Sequence, residues 1–408
     1  MSEVQSGKIY VTDSPGGVLF NRSAAIVGRS RTVVCKTGKQ LDAKLASELP
    51  LAVLIDGDSI RSLPRFLEES FTQKTGRRFV PVAVLTDQPE RSAKEFQKVH
   101  LPVAVLPGND PEQISSFLSE KTRPQIRVKF WGVRGSTPCP NSENIRHGGN
   151  TSCVEIDIPG YDKLIILDSG TGIRNLGNYL DHYAAKPCSG DLFITHPHWD
   201  HIQGFPFFSP FYQKGNRFNI RLPEQYRGGA RDILAGHLTK TFFPVTLDMF
   251  DAGLNYITQE EKADSVGPVQ VDYLVANHPT KTAIYRFRVM GKTIIYAPDN
   301  ELPLEATPLR FVERFCEFTE GCDLLIHDGQ YNMDLFKTRE GWGHSAWERT
   351  LELARMSGVK RLYLTHHDPD SSDKFLDELS GNLDSYSKPP FIELALAKEG
   401  RFVSLPVG

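Results

Sequence analysis

The sequence lacks the features that mark a secreted or membrane-embedded protein. Its first residues contain no basic segment followed by an apolar run long enough for a secretory signal. Nowhere do about 18 consecutive apolar residues occur, the length that a membrane-spanning helix needs. The six cysteines are scattered without a C-x-x-C pair, which argues against a disulfide framework and a thiolate zinc site. We therefore expect a cytoplasmic protein with no membrane partner.

An excess of either charge is also missing, since 47 Lys and Arg residues face 50 Asp and Glu residues, for a net charge of −3. Proteins that live on a nucleic-acid backbone usually carry a strong basic excess, so we expect no stable nucleic-acid partner. Apolar residues make up 39% of the chain, which is typical of globular proteins. The 408 residues exceed one ordinary domain of about 100 to 200 residues.

The chain divides into two regions with different sequence patterns. Up to residue 122, apolar runs such as LAVLID and VPVAVLTD alternate with polar segments of helical length, which predicts a βα repeat around a parallel sheet. Residues 123–127 form a predicted linker. Residues 128–408 are richer in strands, and their polar clusters follow strand ends, where side chains from several strands can meet at one sheet edge.

The strongest chemical signal is the segment THPHWDHIQG at 195–204, with three imidazoles and a carboxylate within six positions. Each of these groups costs free energy to bury without a partner, and a metal ion is such a partner. His196 and His198 can point to one ion, while Asp200 and His201 turn toward a second. Zinc accepts both ligand types, and the ions of a two-metal site lie about 3.5 to 4 Å apart. The alternative is a solvated turn.

This H-x-H-x-D-H pattern resembles the metallo-β-lactamase superfamily, whose pattern continues with a histidine after a strand, a bridging aspartate and a last histidine. The sequence has His278 in VDYLVANH, Asp299 in TIIYAPD and His366 in LYLTHHDP. Over residues 126–408 the resemblance implies an αββα sandwich that holds two Zn²⁺, for which Mn²⁺ or Fe²⁺ could substitute. It implies one ion on His196, His198 and His278, a second on Asp200, His201 and His366, and Asp299 as the bridge.

Three nearby residues have two interpretations each. His367 is either the last ligand in place of His366 or an orienting or substrate-binding residue of the pocket. Arg134, in VKFWGVRGSTP, either contacts the phosphate of a substrate or is an ordinary surface arginine. Asp168, in ILDSGTG, either hydrogen-bonds the metal loop or is an ordinary turn aspartate.

The segments VKFWGVRGSTP, HGGNTSC and ILDSGTG resemble the phosphodiesterase branch of the superfamily. This branch includes tRNA 3′-processing nucleases, phosphoribosyl cyclic phosphodiesterases and cyclic-nucleotide phosphodiesterases, and the cyclic phosphodiesterases are the best match. The tRNA-processing members usually carry a long arm between the third histidine and the bridging aspartate. Only 20 residues separate His278 from Asp299 here, which favours a small cyclic phosphodiester, in particular a cyclic nucleotide, as the substrate.

His344 is the predicted acid. It precedes a helical run in GWGHSAWERTLELARMSG, and Ser345 with Glu348 predicts a capping box, so His344 lies next to a helix N-terminus that favours anions. The resemblance implies that this histidine contacts a phosphate oxygen and protonates the leaving alkoxide. A loop residue packed on Trp342 is the alternative. Asp200 is expected to relay a proton through water.

Other functions share this ligand set. A nuclease, or a thioester or lactone hydrolase of the same fold, would use the same metal ligands, and an inactive signalling module would retain the fold without turnover. The aromatic residues between Phe205 and Val275 could form a lid, a dimer surface or plain core. Because the family often forms dimers, we expect a homodimer.

Residues 8–122 resemble the receiver domains of two-component signalling, which have a flavodoxin-like fold. Asp56 falls where the phosphoacceptor belongs, Thr86 where the switch hydroxyl belongs, and Asp13 ends the first strand. Thr12 replaces one acidic residue of the family pattern, and Leu106 replaces its lysine. Because these losses weaken magnesium and phosphoryl binding, we predict a degenerate receiver used for docking a signalling partner, for dimerisation or for sensing, and phosphorylation at Asp56 is the alternative.

Overall fold

The structure is a computed structural model that describes residues 9–12, 32–47, 52–56, 82–86, 88–89, 103–107, 110, 112–114, 116–117, 124–183, 187–226, 228–304 and 309–407. Contacts between Cα atoms divide the chain into two compact units. The first consists of Met1–Pro124 with His182–Ala185, and the second of Gln125–Asp181 with Lys186–Gly408. Each unit is described by itself.

The first unit contains a five-stranded parallel sheet. Its strands are β1 (Ile9–Thr12), β2 (Thr32–Val34), β3 (Ala52–Asp56), β4 (Val82–Thr86) and β5 (Val103–Pro107), in the order β2-β1-β3-β4-β5. Helix α1 (Gly38–Ser47) follows β2. The central strands are apolar and buried, as expected for a parallel sheet covered on both faces. This strand order is that of flavodoxin-like folds, so the predicted fold of this unit is confirmed.

Two predicted receiver residues lie at the carboxyl edge of this sheet. Asp56 ends β3 and Thr86 ends the neighbouring β4, whereas Asp13 lies outside the described residues. The Thr12 hydroxyl, at the end of β1, accepts a hydrogen bond from the Asp56 backbone N–H at 2.9 Å. Thr12 thus ties two strand ends together where the receiver pattern has a carboxylate, and the role of this edge stays a prediction.

The second unit is built on two seven-stranded sheets. The first sheet has the order β11-β10-β9-β8-β7-β6-β19 and the second runs from β12 to β18 in chain order. The first consists of β6 (Gln125–Gly132), β7 (Cys153–Asp157), β8 (Leu164–Leu167), β9 (Ser189–Phe193), β10 (Arg217–Pro223), β11 (Gly253–Gln259) and β19 (Phe402–Pro406). The second consists of β12 (Asp264–Val266), β13 (Val269–Val275), β14 (Ala283–Val289), β15 (Lys292–Ala297), β16 (Leu324–Asp328), β17 (Arg361–Thr365) and β18 (Glu393–Leu396).

Helices cover the outer faces. They are α2 (Gly172–Tyr183), α3 (Trp199–Ile202), α4 (Ala230–His237), α5 (Leu309–Thr319), α6 (Met333–Phe336), α7 (Trp347–Met356) and α8 (Asp373–Leu383). Short 3-10 turns lie at Ser142–Asn144, Phe205–Phe207, Ser209–Tyr212, Leu247–Met249 and Asp384–Tyr386. Phe315 of α5, Leu351 of α7 and Leu376 of α8 pack with Ile295 and Leu325 on the outer face of the second sheet. The arrangement confirms the predicted αββα sandwich.

The main core fills the space between the two sheets. Val128 and Phe193 from the first sheet pack with Phe287 and Ile326 from the second, and all four are fully buried. The rings of Phe193 and Phe287 meet edge to face at 5.2 Å, a preferred aromatic geometry. This packing fixes the two sheets face to face and holds their strand ends in register.

The parallel halves of the sheets set the position of the site. Strands β8 to β11 are parallel to one another, and so are β15 to β18. Parallel neighbours end at the same edge of a sheet, so the segments that follow β8, β9, β15, β16 and β17 gather there.

The aromatic segment after α3 has two parts. Phe205, Phe208 and Phe211 are fully buried and form a cluster of ring contacts with Phe218. These residues belong to the core, which was one of the three predictions for this segment beside a lid and a dimer surface. Phe242, by contrast, is 82% exposed.

The structure also bears on the cysteines and on the length of the helices. The cysteines are free thiols, buried except for the partly exposed Cys316. In the portion of the chain that the structure describes, the helices are all too short or too polar to cross a bilayer.

Candidate metal centre

The predicted ligands, though far apart in sequence, meet at the carboxyl ends of strands from both sheets. The loop after β9 and helix α3 carry four of them, and the segments after β13, β15 and β17 carry one each. Within the described residues these side chains form two clusters, in each of which the ligand atoms lie within 4.8 Å of one another. The first contains His196, His198, His278 and Asp299, and the second contains Asp200, His201 and His366.

In the first cluster, three imidazoles face one carboxylate oxygen. Asp299 Oδ2 lies 3.6 Å from His196 Nε2 and 3.8 Å from His278 Nε2. His198 approaches with its other ring nitrogen, and its Nδ1 lies 3.2 Å from His278 Nε2. The atoms surround a space that one ion could occupy.

In the second cluster, the opposite oxygen of Asp299 takes part. Asp299 Oδ1 lies 2.9 Å from His201 Nε2 and 3.2 Å from His366 Nε2. Asp200 Oδ2 lies 3.0 Å from His366 Nε2 and 3.3 Å from His201 Nε2. The Asp299 carboxylate therefore presents one oxygen to each cluster.

Several of these atoms have no hydrogen bond although they are buried. His196 Nε2 is buried without a hydrogen-bond partner, and His201 Nε2 and Asp299 Oδ1, which form an ion pair at 2.9 Å, also make no well-aligned hydrogen bond. A buried polar atom without a partner costs about 1 to 3 kcal/mol. All three atoms point into the clusters, so the donor set fits divalent cations that accept imidazole and carboxylate ligands.

The charges of the site also favour metal binding. Burial lowers the pKa of His196 and His278, and it lowers the pKa of His198 to about 4, which favours the neutral form of these imidazoles. Burial alone would raise the pKa of Asp299, but the neighbouring histidines, above all His201, hold it well below its usual value. Neutral imidazole and ionised carboxylate are the forms that bind metal ions.

Asp168 holds the second cluster from behind. Its Oδ2 lies 2.8 Å from His201 Nδ1 and accepts a hydrogen bond from the Tyr296 hydroxyl at 3.0 Å, and its Oδ1 accepts from the Thr195 backbone N–H at 2.7 Å. The left-handed backbone of Asp168, with φ of 58°, turns the carboxylate inward after β8. These bonds confirm the interpretation that Asp168 holds the metal loop in place, and they direct His201 Nε2 to the cluster.

Other imidazoles are oriented through their outer nitrogens. His278 Nδ1 lies 3.0 Å from the Gly343 carbonyl oxygen, and His366 Nδ1 lies 2.9 Å from Gln330 Oε1. Both bonds leave Nε2 facing the cluster. Polar partners of this kind fix the tautomer and direction of metal-binding histidines.

The loop of Arg134 to Ser136 closes one side of the second cluster. The Ser136 N–H donates to Asp200 Oδ2 at 2.8 Å. A Cβ atom on Gly135 would lie 2.3 Å from His366 Nδ1, so only glycine allows the chain to pass this close to the ring.

His344 lies against both clusters. Its Nδ1 is 2.8 Å from Asp328 Oδ2, and its ring stacks on that of His366 with centroids 4.9 Å apart. Burial disfavours the charged form, but the Asp328 carboxylate outweighs it and raises the pKa of His344 to about 9. The side chain of His344 is 11% exposed, so it lies in the site and is not a loop residue packed on Trp342.

The predicted capping box is wrong. Helix α7 begins at Trp347, its N-cap is Ala346, and no side chain caps it. The Ser345 hydroxyl instead donates to the Asn300 carbonyl at 2.6 Å and accepts from the Leu302 N–H at 3.0 Å. Ser345 therefore fastens the segment that follows Asp299, and Asp328, not a helix end, positions His344.

The predicted phosphate contact of Arg134 is also wrong. Its side chain is fully buried and donates to the carbonyl oxygens of Gly148 at 2.8 Å, Asp368 at 3.1 Å and Ser371 at 2.7 Å. Neither a substrate contact nor a surface position fits this environment. Arg134 binds three loops together because its guanidinium can donate in several directions at once.

His367 is not placed as a ligand or a pocket residue. It is 2% exposed, and its Nε2 donates to the Ala397 carbonyl oxygen at 2.8 Å. The left-handed φ of 60° at His366 sends the two adjacent imidazoles in different directions. His366 is the residue that enters the second cluster. Both predictions for His367, as the last ligand and as a pocket residue, are therefore wrong.

Sequence reasoning missed the residues that support the ligands. Asp328 ends β16 in LLIHDG, and its position at a strand end was the signal that could have found it. Glu301 accepts from the Gly341 N–H at 2.9 Å and the Gly343 N–H at 2.8 Å, and so holds the loop that carries His344. Gln330 and Tyr296 gave no local signal, because their partners are distant in sequence.

Comparisons with known proteins agree with this architecture. Residues 165–367 match the family model of the β-lactamase superfamily domain. Ribonuclease Z of Haloarcula marismortui is 24% identical over 317 residues, which cover 67% of this chain and 95% of that protein.

Two solved structures have a similar fold. The metallo-β-lactamase fold protein YhfI from Bacillus subtilis has a TM-score of 0.50 and 19% identity, and the match covers 69% of this chain and all of that one. Zn²⁺-bound PqqB from Methylobacterium extorquens has a TM-score of 0.50 and 14% identity, covering 68% of this chain and all of that one.

The Asp168→Asn variant tests the support behind the second cluster. Asparagine has nearly the same shape and tolerates the left-handed backbone, so the change removes the charge and replaces one acceptor oxygen by an NH2 donor without straining the chain. We expect the free energy of unfolding to fall by about 1 to 3 kcal/mol, measured by chemical denaturation. Asp251→Asn, at an exposed position, serves as the control and should change stability by less than about 0.5 kcal/mol. Equal stability of both variants would contradict this role.

Proposed function

We propose that this chain, whose residues 165–367 match the model of the β-lactamase superfamily domain, is a metal-dependent phosphodiesterase. We propose two Zn²⁺ as its cofactors and a cyclic phosphodiester, in particular a cyclic nucleotide, as its substrate. Ribonuclease Z, to which the chain is similar over nearly the whole length of that relative, supports phosphodiester chemistry.

The observation that carries the proposal is the position of Asp299. One of its oxygens faces His196 and His278, and the other faces His201 and His366. A carboxylate with an oxygen on each side of two imidazole clusters is the arrangement that a bridged pair of cations needs. Paired cations suit the transfer of phosphoryl groups because they offset charge on both the attacking and the leaving oxygen.

When bound, the zinc pair supplies Lewis acidity and lets water act as a nucleophile near neutral pH. The rest is done by side chains. Attack of water forms one P–O bond and breaks another, and the leaving oxygen needs a proton. His344 uses Nδ1 to bind Asp328, so its Nε2 is the atom that can deliver this proton. Asp200 belongs to the second cluster, its Oδ2 accepts from the Ser136 N–H, and it is the group that would relay a proton through water to the leaving oxygen.

The connection between His278 and Asp299 favours a small substrate. It consists of strands β14 and β15, which pair as a short hairpin, and leaves no room for a substrate-binding arm. A nuclease is the second candidate, because the ribonuclease Z similarity covers 95% of that relative. Hydrolysis assays with cyclic nucleotides and with short oligonucleotides, run in parallel, distinguish a cyclic phosphodiesterase from a nuclease.

The first functional prediction concerns metal content and turnover. Purified protein should contain about two zinc ions per chain by elemental analysis, and should hydrolyse a cyclic nucleotide in a way that a chelator abolishes and zinc restores. Asp299→Ala should lose at least one ion, since both clusters share this carboxylate. Ile392→Ala, exposed at the opposite ends of the strands, is the control and should keep both ions. A metal-replete protein inactive on every phosphodiester would refute the proposal.

A second prediction concerns His344. Its replacement by alanine should lower kcat about 10²- to 10⁴-fold on a cyclic nucleotide, whose leaving alkoxide needs a proton. On bis(p-nitrophenyl) phosphate the loss should be much smaller, because nitrophenolate leaves without help. Asp328→Asn should show the same dependence on the leaving group in weaker form. Equal losses on both substrates would mean that His344 has no role in proton transfer.

For the amino-terminal unit we propose the docking role of a degenerate receiver, with a signalling partner. The hydrogen bond of Thr12 to the Asp56 N–H supports this, because a neutral hydroxyl stands beside the would-be phosphoacceptor. Incubation with acetyl phosphate and Mg²⁺ should therefore leave Asp56 unmodified, as measured by intact mass. Stoichiometric phosphorylation would instead indicate a working receiver. The homodimer and the cytoplasmic location stay predictions.

A further inference from the structure

The four tryptophans of the chain differ in exposure in a way that points to the metal centre. Trp131 is 8% exposed, and Trp347 is partly buried against the outer core. Trp199 and Trp342, by contrast, are 77% and 61% exposed. Single exposed apolar residues are common on protein surfaces, but each of these two tryptophans is next in sequence to a residue that lies in a cluster or against it.

The position of Trp199 follows from its neighbours. It lies between His198 of the first cluster and Asp200 of the second, and it is the first residue of α3. Because the residues on both sides are held in the clusters, the backbone of Trp199 is fixed while its indole extends outward. Among the described residues, no hydrogen bond or ring contact holds this indole.

Trp342 lies across the first cluster from His198. The next residue, Gly343, lies so close to His278 that an added Cβ would be 2.1 Å from the His278 Nδ1 atom. His278 in turn contacts His198, with 3.2 Å between His278 Nε2 and His198 Nδ1. The imidazoles of His278 and His198 thus lie between the two backbone segments that carry the exposed indoles.

The Trp342 ring is supported from one side. The Arg339 guanidinium lies 5.5 Å from the centroid of Trp342 and 5.0 Å from that of Tyr331, in cation–π range. Arg339 also forms an ion pair with Asp368 at 3.1 Å. Arg339 therefore links the indole to Tyr331, whose ring meets that of His344 at 5.8 Å.

We propose that Trp199 and Trp342 form an aromatic clamp that determines specificity, by stacking on a nucleobase attached to the phosphodiester. This inference rests on the proposed function, since the clamp acts on a substrate whose phosphate occupies the metal centre. Nucleobases stack on aromatic side chains with little sequence preference. Abasic sugar phosphates offer no such face, so the clamp selects nucleoside phosphodiesters over sugar phosphodiesters.

Binding without turnover tests the clamp. Affinities of the zinc-loaded full chain for AMP and for ribose 5-phosphate, which differ by the base alone, are compared by calorimetry. We expect the wild type to prefer AMP, and Trp199→Ala and Trp342→Ala each to reduce the AMP preference about 5- to 100-fold. Trp199→Phe and Trp342→Phe should retain most of the preference, because a stacking face remains. Ile392→Ala, as exposed but at the opposite strand ends, should retain all of it.

Turnover of cyclic AMP and of a short oligoribonucleotide shows which type of substrate carries the base that the clamp binds. A loss of kcat/KM in the alanine variants on one of these substrates assigns the clamp to that substrate, and a loss on both assigns it to nucleosides in general. An unchanged AMP preference in both folded alanine variants overturns the clamp, even if hydrolysis proceeds. Absence of hydrolysis in the wild type, with the AMP preference and its loss intact, would overturn the proposed function and leave the clamp standing.

Discussion

The second unit depends on one buried carboxylate. Asp299 is 1% exposed and presents an oxygen to each of two imidazole clusters. Three carboxylates, those of Asp299, Asp200 and Asp168, surround His201 and raise its pKa well above the usual value, although burial opposes this. So much buried negative charge is costly unless positive charge offsets it. These carboxylates face the imidazoles of both clusters, and this donor set underlies the proposed chemistry.

The two-sheet architecture creates this place by joining distant strand ends. The site needs β9 from one sheet and β15 and β17 from the other, and the packing of Phe193 on Phe287 holds them together. The Tyr296 hydroxyl, from the second sheet, donates to Asp168, at the end of a strand of the first. Non-glycine residues with left-handed backbone, Asp168 and His366, lie at two of these strand ends. Such conformations cost free energy and persist only where the surroundings enforce them, so core packing supports the geometry of the site.

Predictions from sequence succeeded where the signal was local or periodic. Buried apolar runs indicated the parallel sheet of the first unit, and the motif at 196–201, with the family resemblance that it carries, picked out groups that the structure brings together. The predictions failed where the role of a side chain depends on hydrogen-bond partners that are distant in sequence. Ser345 binds the segment after Asp299 instead of capping α7, and Arg134 binds three loop carbonyls. The same limit hid Asp328, whose importance depends on a histidine sixteen positions away.

The sequence by itself determined the types of strands and helices and the set of groups able to bind metal, because periodicity and ligand chemistry are properties of residues and their spacing. The tertiary structure decided how those groups are divided between two clusters, which oxygen of Asp299 faces each, and why His366 enters the site while His367 turns away. These outcomes depend on the direction of side chains at the ends of strands, and packing between distant parts of the chain sets that direction.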